Sequence, residues 1–190
     1  MAAGKKNAQR LRASLVFLDE SGRLLAPLVR RSWAPRGCTP VLVQTLRYRE
    51  KVSCIAALSL SPQRRRAGLY FSLRPNANLT TVWLRAFLCD LLRHLRNPVV
   101  LVWDRLPVHR AHALQEFFLR RRRLHPVLLP PYAPELNPVE TLWAYLKQNP
   151  LANLAAPDAL SLAKIAHRHA RRVQSTHPLL HSFFRSTPLF

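Results

Sequence analysis

Residues Leu128–Lys147 read LLPPYAPELNPVETLWAYLK. Leu128 and Leu129 close an apolar run, and Pro130, Pro131 and Pro134 then forbid helix and stiffen the backbone. Asn137 is a favourable N-cap, and Pro138 takes the first helical position, where a missing N–H costs nothing. Val139, Leu142, Trp143 and Leu146 fall on one helical face, with Glu140 at its edge in the first turn. The stretch therefore predicts a strand end, a rigid loop and a helix start. Glu140 has two readings at this stage: the reciprocal half of a capping box with Asn137, or a carboxylate held at the mouth of a core.

Upstream, Val99–Trp103 is a fully apolar strand ending in Asp104, and Leu124–Leu129 is the next strand. Between them Val108–Arg123 has a helical pattern, with Ala111, Leu114, Phe117 and Phe118 inward and the basic run Arg120–Arg123 suiting its C-terminal dipole. Leu79–Arg96 is a longer helix, with Val82, Leu84, Phe87, Leu88, Leu91, Leu92 and Leu95 at helical spacing. Val41–Leu46, Val52–Leu60 and Gly68–Leu73 read as strands of an antiparallel meander, with Pro62–Arg66 a basic turn. Arg23–Thr39 is rich in proline and arginine, with short strand-like pieces around Leu25 and Trp33. Ser14–Leu18 is a strand buried on both faces, which puts Asp19 at its end and Glu20 towards the other side. Downstream, Pro157 and Asp158 open a last helix to about Val173, with Leu160, Ala163, Ala166, Ala170 and Val173 inward. The organisation expected is a basic tail or linker over 1–12, one α/β domain over 13–174 and a C-terminal tail over 175–190. Strands followed by alternating strand and helix imply a mixed sheet with helices on its faces.

Thirty lysines and arginines against nine acids give a formal charge of +21, which calls for a polyanion, nucleic acid first. A 48% hydrophobic composition means a packed core rather than a disordered chain. No apolar run is long enough to span a bilayer, so a membrane partner is not expected. Cys38, Cys54 and Cys89 are widely spaced and odd in number, which excludes a disulfide framework and fits a reducing cytoplasm.

Asp19, Asp104 and Glu140 stand out because acids are scarce and two of them follow buried strands. Three carboxylates converging on one site repel each other and raise their own pKa values unless a cation neutralises them. An all-oxygen set suits magnesium or manganese rather than zinc. The competing reading is three salt bridges to abundant arginines.

These residues carry a resemblance. FLDESG at 17–22, VWDRLPVHR at 102–110 and LPPYAPELNPVETLW at 129–143 resemble the three catalytic blocks of mariner-superfamily DDE transposases, in the bacterial insertion-sequence branch. WAPRGCTP at 33–40 is similar to the segment between the first two blocks. The resemblance covers about residues 5–147 and implies an RNase H-like fold, a mixed five-stranded sheet with helices on both faces. It implies an enzyme that cuts transposon-end DNA and joins it to target DNA with two divalent metal ions, magnesium or manganese. By position, the catalytic and metal-binding triad is Asp19, Asp104 and Glu140, and thirty-five residues separate the last two. Many relatives carry a small or amide residue after the second aspartate, where this chain has Arg105; a cation there either weakens metal binding or clamps a phosphate. The usual N-terminal helix-turn-helix region is not in this sequence, so a separate helix-turn-helix DNA-binding chain is the expected partner, and a homodimer is compatible. The implied setting is the bacterial cytoplasm, on the nucleoid. The alternatives are a truncated, non-catalytic DNA-binding remnant and an RNase H-like nuclease of repair.

Arg105, Arg120, Arg121, Arg122, Arg123 and Lys147 form the expected DNA-binding set, against the plainer reading of solvated side chains. His109 and His112 follow Asp104 and read as surface histidines, Trp143 as core and Cys54 as a buried strand residue. The charge yields a prediction. With on the order of six phosphate contacts, affinity for duplex DNA falls about a thousandfold between 50 and 200 mM salt, with little base preference. A filter-binding titration that is flat in salt excludes it.

Overall fold

A computed structural model of the chain describes residues 9–21, 30–31, 33–39, 41, 50–104, 112–154 and 156–190. The elements run β1 (Ser14–Ser21), β2 (Val52–Leu60), β3 (Ala67–Pro75), α1 (Thr81–His94), β4 (Val99–Trp103), α2 (His112–Leu119), β5 (Leu124–Leu128), a 3-10 turn (Pro134–Leu136), α3 (Pro138–Gln148), α4 (Ala159–Ser175) and α5 (His177–Arg185). The strands form one sheet in the order β3-β2-β1-β4-β5. β1, β2 and β3 pair antiparallel, while β4 lies parallel to β1, and β5 parallel to β4. The mixed five-stranded sheet is the one the resemblance implied. The expected strand Val41–Leu46 lies almost wholly outside the described residues, and its first residue, Val41, is exposed and not in a strand.

Strand alternation sorts the core into two layers. Leu15, Phe17, Val100 and Val102 face one side, where α3, α4 and α5 cover them with Val139, Leu142, Trp143, Leu162, Ala166 and Phe184. Val16, Leu18, Leu101 and Trp103 face the other, under α1 and α2 with Leu84, Leu88, Leu91 and Leu114. Helices therefore cover both faces, which is why β1 and β4 read as unbroken apolar runs rather than alternating ones.

Several elements differ from the sequence reading for local reasons. β1 continues past Asp19 to Ser21 because β2 goes on pairing with it, Asp19 opposite Ala56 and Ser21 opposite Cys54. In α1, Trp83 takes the inner place and Val82 is exposed; in α4, Leu162 is inward and Leu160 is out. Helix α2 ends at Leu119, and Arg120–Arg123 form the turn into β5 rather than a last helical turn. Residues 108–111 of the expected helix lie outside the described residues. Among the described residues no helix is long and apolar enough to cross a membrane.

The largest correction concerns residues 175–190, which are not a tail. Pro178 opens α5, and Leu180, Phe183 and Phe184 at i, i+3, i+4 are buried in the main core. Phe184 meets Phe17 of the central strand edge-on, ring centroids 6.1 Å apart, and Phe190 closes the group at 5.4 Å from Phe184. Phe184→Ala should therefore destabilise the whole domain by about 3–5 kcal/mol, as buried aromatic truncations do. A denaturant midpoint unchanged by that substitution contradicts the packing.

Candidate active site

Parallel register brings two aspartates side by side. β1 and β4 pair up to Phe17 opposite Val102, so Asp19 and Asp104, each two residues further on, fall abreast where β4 ends. The alternation that turns Phe17 and Val102 towards α3, α4 and α5 carries Asp19 to the same face. Asp19 is buried and Asp104 half-buried.

The rigid loop then returns the chain to this face. Leu129 donates its N–H to the Trp103 carbonyl at 2.8 Å, tying the loop to the end of β4. Tyr132 follows with a left-handed backbone (φ 56) and a fully exposed ring. The Asn137 side chain accepts from the Val139 N–H at 3.2 Å and caps α3. The Asn137 N–H itself donates to the Pro134 carbonyl at 2.9 Å. The reciprocal half of a capping box is thus already supplied by the 3-10 turn, and the exposed Glu140 carboxylate is not needed for it.

One turn beyond Glu140, Trp143 is buried, and its indole Nε1–H donates to Asp19 Oδ2 at 2.7 Å. Read from sequence as core packing only, Trp143 also positions the central carboxylate. The one signal available was its place three residues after Glu140, on the inward stripe. Burial pushes the Asp19 carboxyl up to about 8, the Glu140 charge adds to the rise, the Trp143 hydrogen bond opposes it, and Glu20 and Asp104 raise it further. The neighbouring Cys54 thiol is pushed up as well, first by burial and then by Asp19. Four of the nine acids of a strongly basic chain therefore act on one place. Among the described residues Asp19 takes its hydrogen bond from an indole.

The donor set is carboxylate oxygen throughout, which fits a hard divalent cation rather than zinc. Among the described residues no three His, Cys, Asp or Glu side chains are already drawn into a metal cage. Repelling carboxylates close up only around a cation that neutralises them.

The basic residues are placed less uniformly. The Arg123 carbonyl accepts from the N–H of Val99, the first residue of β4, while Asp104 follows the last, so the Arg120–Arg123 turn sits about 16 Å away at the opposite end of the sheet. Arg123 spends its guanidinium on the Leu92, Leu95 and Arg96 carbonyls at the end of α1. The Arg121 guanidinium lies 5.3 Å from the Phe117 ring centroid. Arg120 and Arg122 are exposed, and Lys147 is half-buried near the end of α3. Arg105 and His109 lie outside the described residues, and His112 is 3.7 Å from Glu116 on its own helix.

The family model of the DDE superfamily endonucleases matches residues 14–162. The chain belongs to that family. No curated protein sequence matches it. Among solved structures it is similar to the Mos1 transposase paired-end complex with left transposon end, at 18% identity and a TM-score of 0.64 over 97% of this chain and 55% of that one. The Mos1 mariner paired-end complex with Mn gives the same identity, TM-score and coverage. The catalytic domain of Mos1 mariner transposase aligns at 15% identity and a TM-score of 0.59, over 97% of this chain and 81% of that one. The chain thus spans about half the length of the transposase in the paired-end complexes, and the shared fold is the RNase H-like one.

The Asp19 environment sets a pH dependence. Its carboxyl moves from 3.8 to about 8 on folding, so between those values the folded protein holds a proton that the unfolded chain releases. The stability this proton provides is complete below about pH 4 and is lost as pH rises towards about 8. Without metal, Asp19→Asn should therefore gain in melting temperature over the parent as pH is raised across that window. At its upper end magnesium should stabilise only the parent. Parallel melting curves for the two proteins would contradict the burial and crowding of Asp19.

Proposed function

We propose that the chain is the catalytic domain of a transposase that cuts transposon-end DNA and joins it to target DNA. The observation that carries this reading is the convergence of acids from β1, β4 and α3 on one end of the sheet, in a chain otherwise dominated by cations. Family membership supports it. So does the likeness to structures whose names include a transposon end and manganese.

In this reading Asp19, Asp104 and Glu140 are the ligands of two divalent ions, magnesium or manganese. When bound, such ions activate a water or a 3′-hydroxyl and stabilise the leaving oxygen of the phosphodiester. The chain's own part is positional. Trp143 fixes the Asp19 carboxylate, and the core on either side of β1 fixes the backbone beneath it. The Pro130–Asn137 loop and the Asn137 cap set where α3 starts, and so where Glu140 stands. Arg105, adjacent in sequence to Asp104, and Lys147 on α3 are the expected phosphate contacts nearest the acids. Arg120 and Arg122 serve DNA further off, and Arg121 and Arg123 have structural duties besides. The reading includes a helix-turn-helix chain as end-binding partner, a homodimer holding two ends, and work on the bacterial nucleoid, in the insertion-sequence branch.

Asp104→Asn and Glu140→Gln should each lower magnesium-dependent cutting of pre-nicked transposon ends by about a hundredfold or more, the scale of losing a group that stabilises transition-state charge. Both should keep duplex affinity, and Glu140→Gln should keep its melting temperature, since Asn137 and Pro134 cap α3 without Glu140. Cutting by either variant at the parent's rate would overturn the assignment.

A further inference from the structure

Helix α4 turns a row of cations to solvent. Lys164, His167, Arg168, Arg171 and Arg172 follow at i, i+3, i+4, i+7 and i+8, and all are exposed. No acid follows Asp158 in the sequence; Asp158, the N-cap, acts on Lys164 at the start of the row, and neither α4 nor α5 carries an acid beside Arg168, Arg171 or Arg172. His169 on the flank is pushed down, first by burial and then by Arg172 and Arg168, as expected where like charges crowd. The row is also fixed in place. Arg171 donates to Gln174 Oε1 at 2.9 Å, and Gln174 Nε2 donates to the Leu69 carbonyl of β3, the edge strand, at 2.6 Å.

From there the surface continues over the edge of the sheet. A shallow groove along Lys164, Arg168 and Arg172 shares His167, Arg171 and Gln174 with a cavity of about 360 Å³ that reaches Arg74 and His94. Arg74 is held 4.8 Å above the Trp83 ring. The hydrogen bond from the Ala159 N–H to Glu50 Oε2, at 3.0 Å, sets the start of α4 beside residue 50, just before β2. β2 runs antiparallel to β1, so α4 starts at the sheet end where Asp19 and Asp104 stand and leads away from it. β3 lies two strands, about 10 Å, from β1.

We propose that this face, the row on α4 with its continuation over the edge of β3, binds the backbone of duplex DNA outside the bond being cut. Lys164 to Arg172 covers about 12 Å at 1.5 Å per residue. One strand of a duplex places a phosphate every ~3.4 Å along its axis. Three to four phosphates thus lie against four permanent cations. A protein partner is less well served, because the row has no exposed apolar or aromatic anchor at its centre of the kind protein interfaces use. A merely solvated row leaves the like charges of a rigid helix opposed to one another with no gain.

The proposal rests on the reading of the chain as a DNA-acting enzyme, and the experiment separates the two. The full chain carrying Arg168→Ala, Arg171→Ala and Arg172→Ala is titrated with a plain duplex over a range of salt, beside a charge-matched control carrying Arg36→Ala, Arg85→Ala and Arg96→Ala, exposed arginines outside the proposed DNA contacts. The α4 variant should keep its melting temperature, since all three side chains are exposed and alanine favours helix. Its slope of log affinity against log salt should shrink by about two to three, near 0.9 per lost phosphate contact. A slope that changes no more than in the control overturns the proposal, because the effect is then one of overall charge. Asp104→Asn, run in parallel, should bind with the parent's slope. If that variant cuts DNA normally, the catalytic reading fails while the slope of the α4 variant still decides this one.

Discussion

The hydrogen bond from the Trp143 indole to the Asp19 carboxylate joins residues 124 apart in sequence and ties the central strand to α3. A buried carboxylate with no partner is costly, and an arginine partner would neutralise the charge that a metal site needs. An indole N–H is a donor without a charge. It orients the oxygen without bringing a positive charge, and it only partly offsets the burial and the neighbouring acids that raise the Asp19 pKa to about 8. The same tryptophan packs into the core, so the helix that presents Glu140 cannot shift without disturbing the carboxylate that Glu140 faces electrostatically. Packing and site chemistry are here one contact.

Charge is segregated across the molecule with the same logic. Acids are few, and four of the nine act at the ends of β1 and β4, while cations populate the outer helices and turns. Self-repulsion of the cations is spread over the surface, where water screens it. Self-repulsion of the acids is concentrated around the buried Asp19, where water screens it less. That asymmetry costs free energy, since like charges close together at low solvent exposure repel more strongly than the same charges spread over the surface.

What was legible in the sequence follows from which forces act locally. β2 and β4 have the bounds their mainly apolar runs suggested, because strands covered on both faces hold few polar residues, here only the small Ser53 and Ser59 of β2. Asn137-Pro138 marked the start of α3 because capping is chemistry between neighbours in the chain. The extent of β1 beyond Asp19 is not legible, since it depends on pairing with β2, where Glu20 meets Ile55 and Ser21 meets Cys54, far along the sequence. Leu160 and Val82 were placed inward because they are apolar; only tertiary packing decides that Leu162 and Trp83 take those places. The helix over 177–185 had a readable signal in Leu180, Phe183 and Phe184, but nine residues are too few to hold a helix without the core they enter. Arg120–Arg123 read as one DNA-facing run, yet Arg123 is committed to the carbonyls of α1, a long-range use that no spacing rule discloses.

The register of β1 against β4 has a further consequence for the site. Two parallel strands whose polar residues are separated by the same count from the last paired position hold their side chains abreast, whatever the loops around them do. The third carboxylate is different in kind, for it comes from a helix whose start is set by a proline-stiffened loop anchored at Leu129 and capped at Asn137. A frame of this kind sets two carboxylates by the register of the sheet and the third by one stiffened, capped segment.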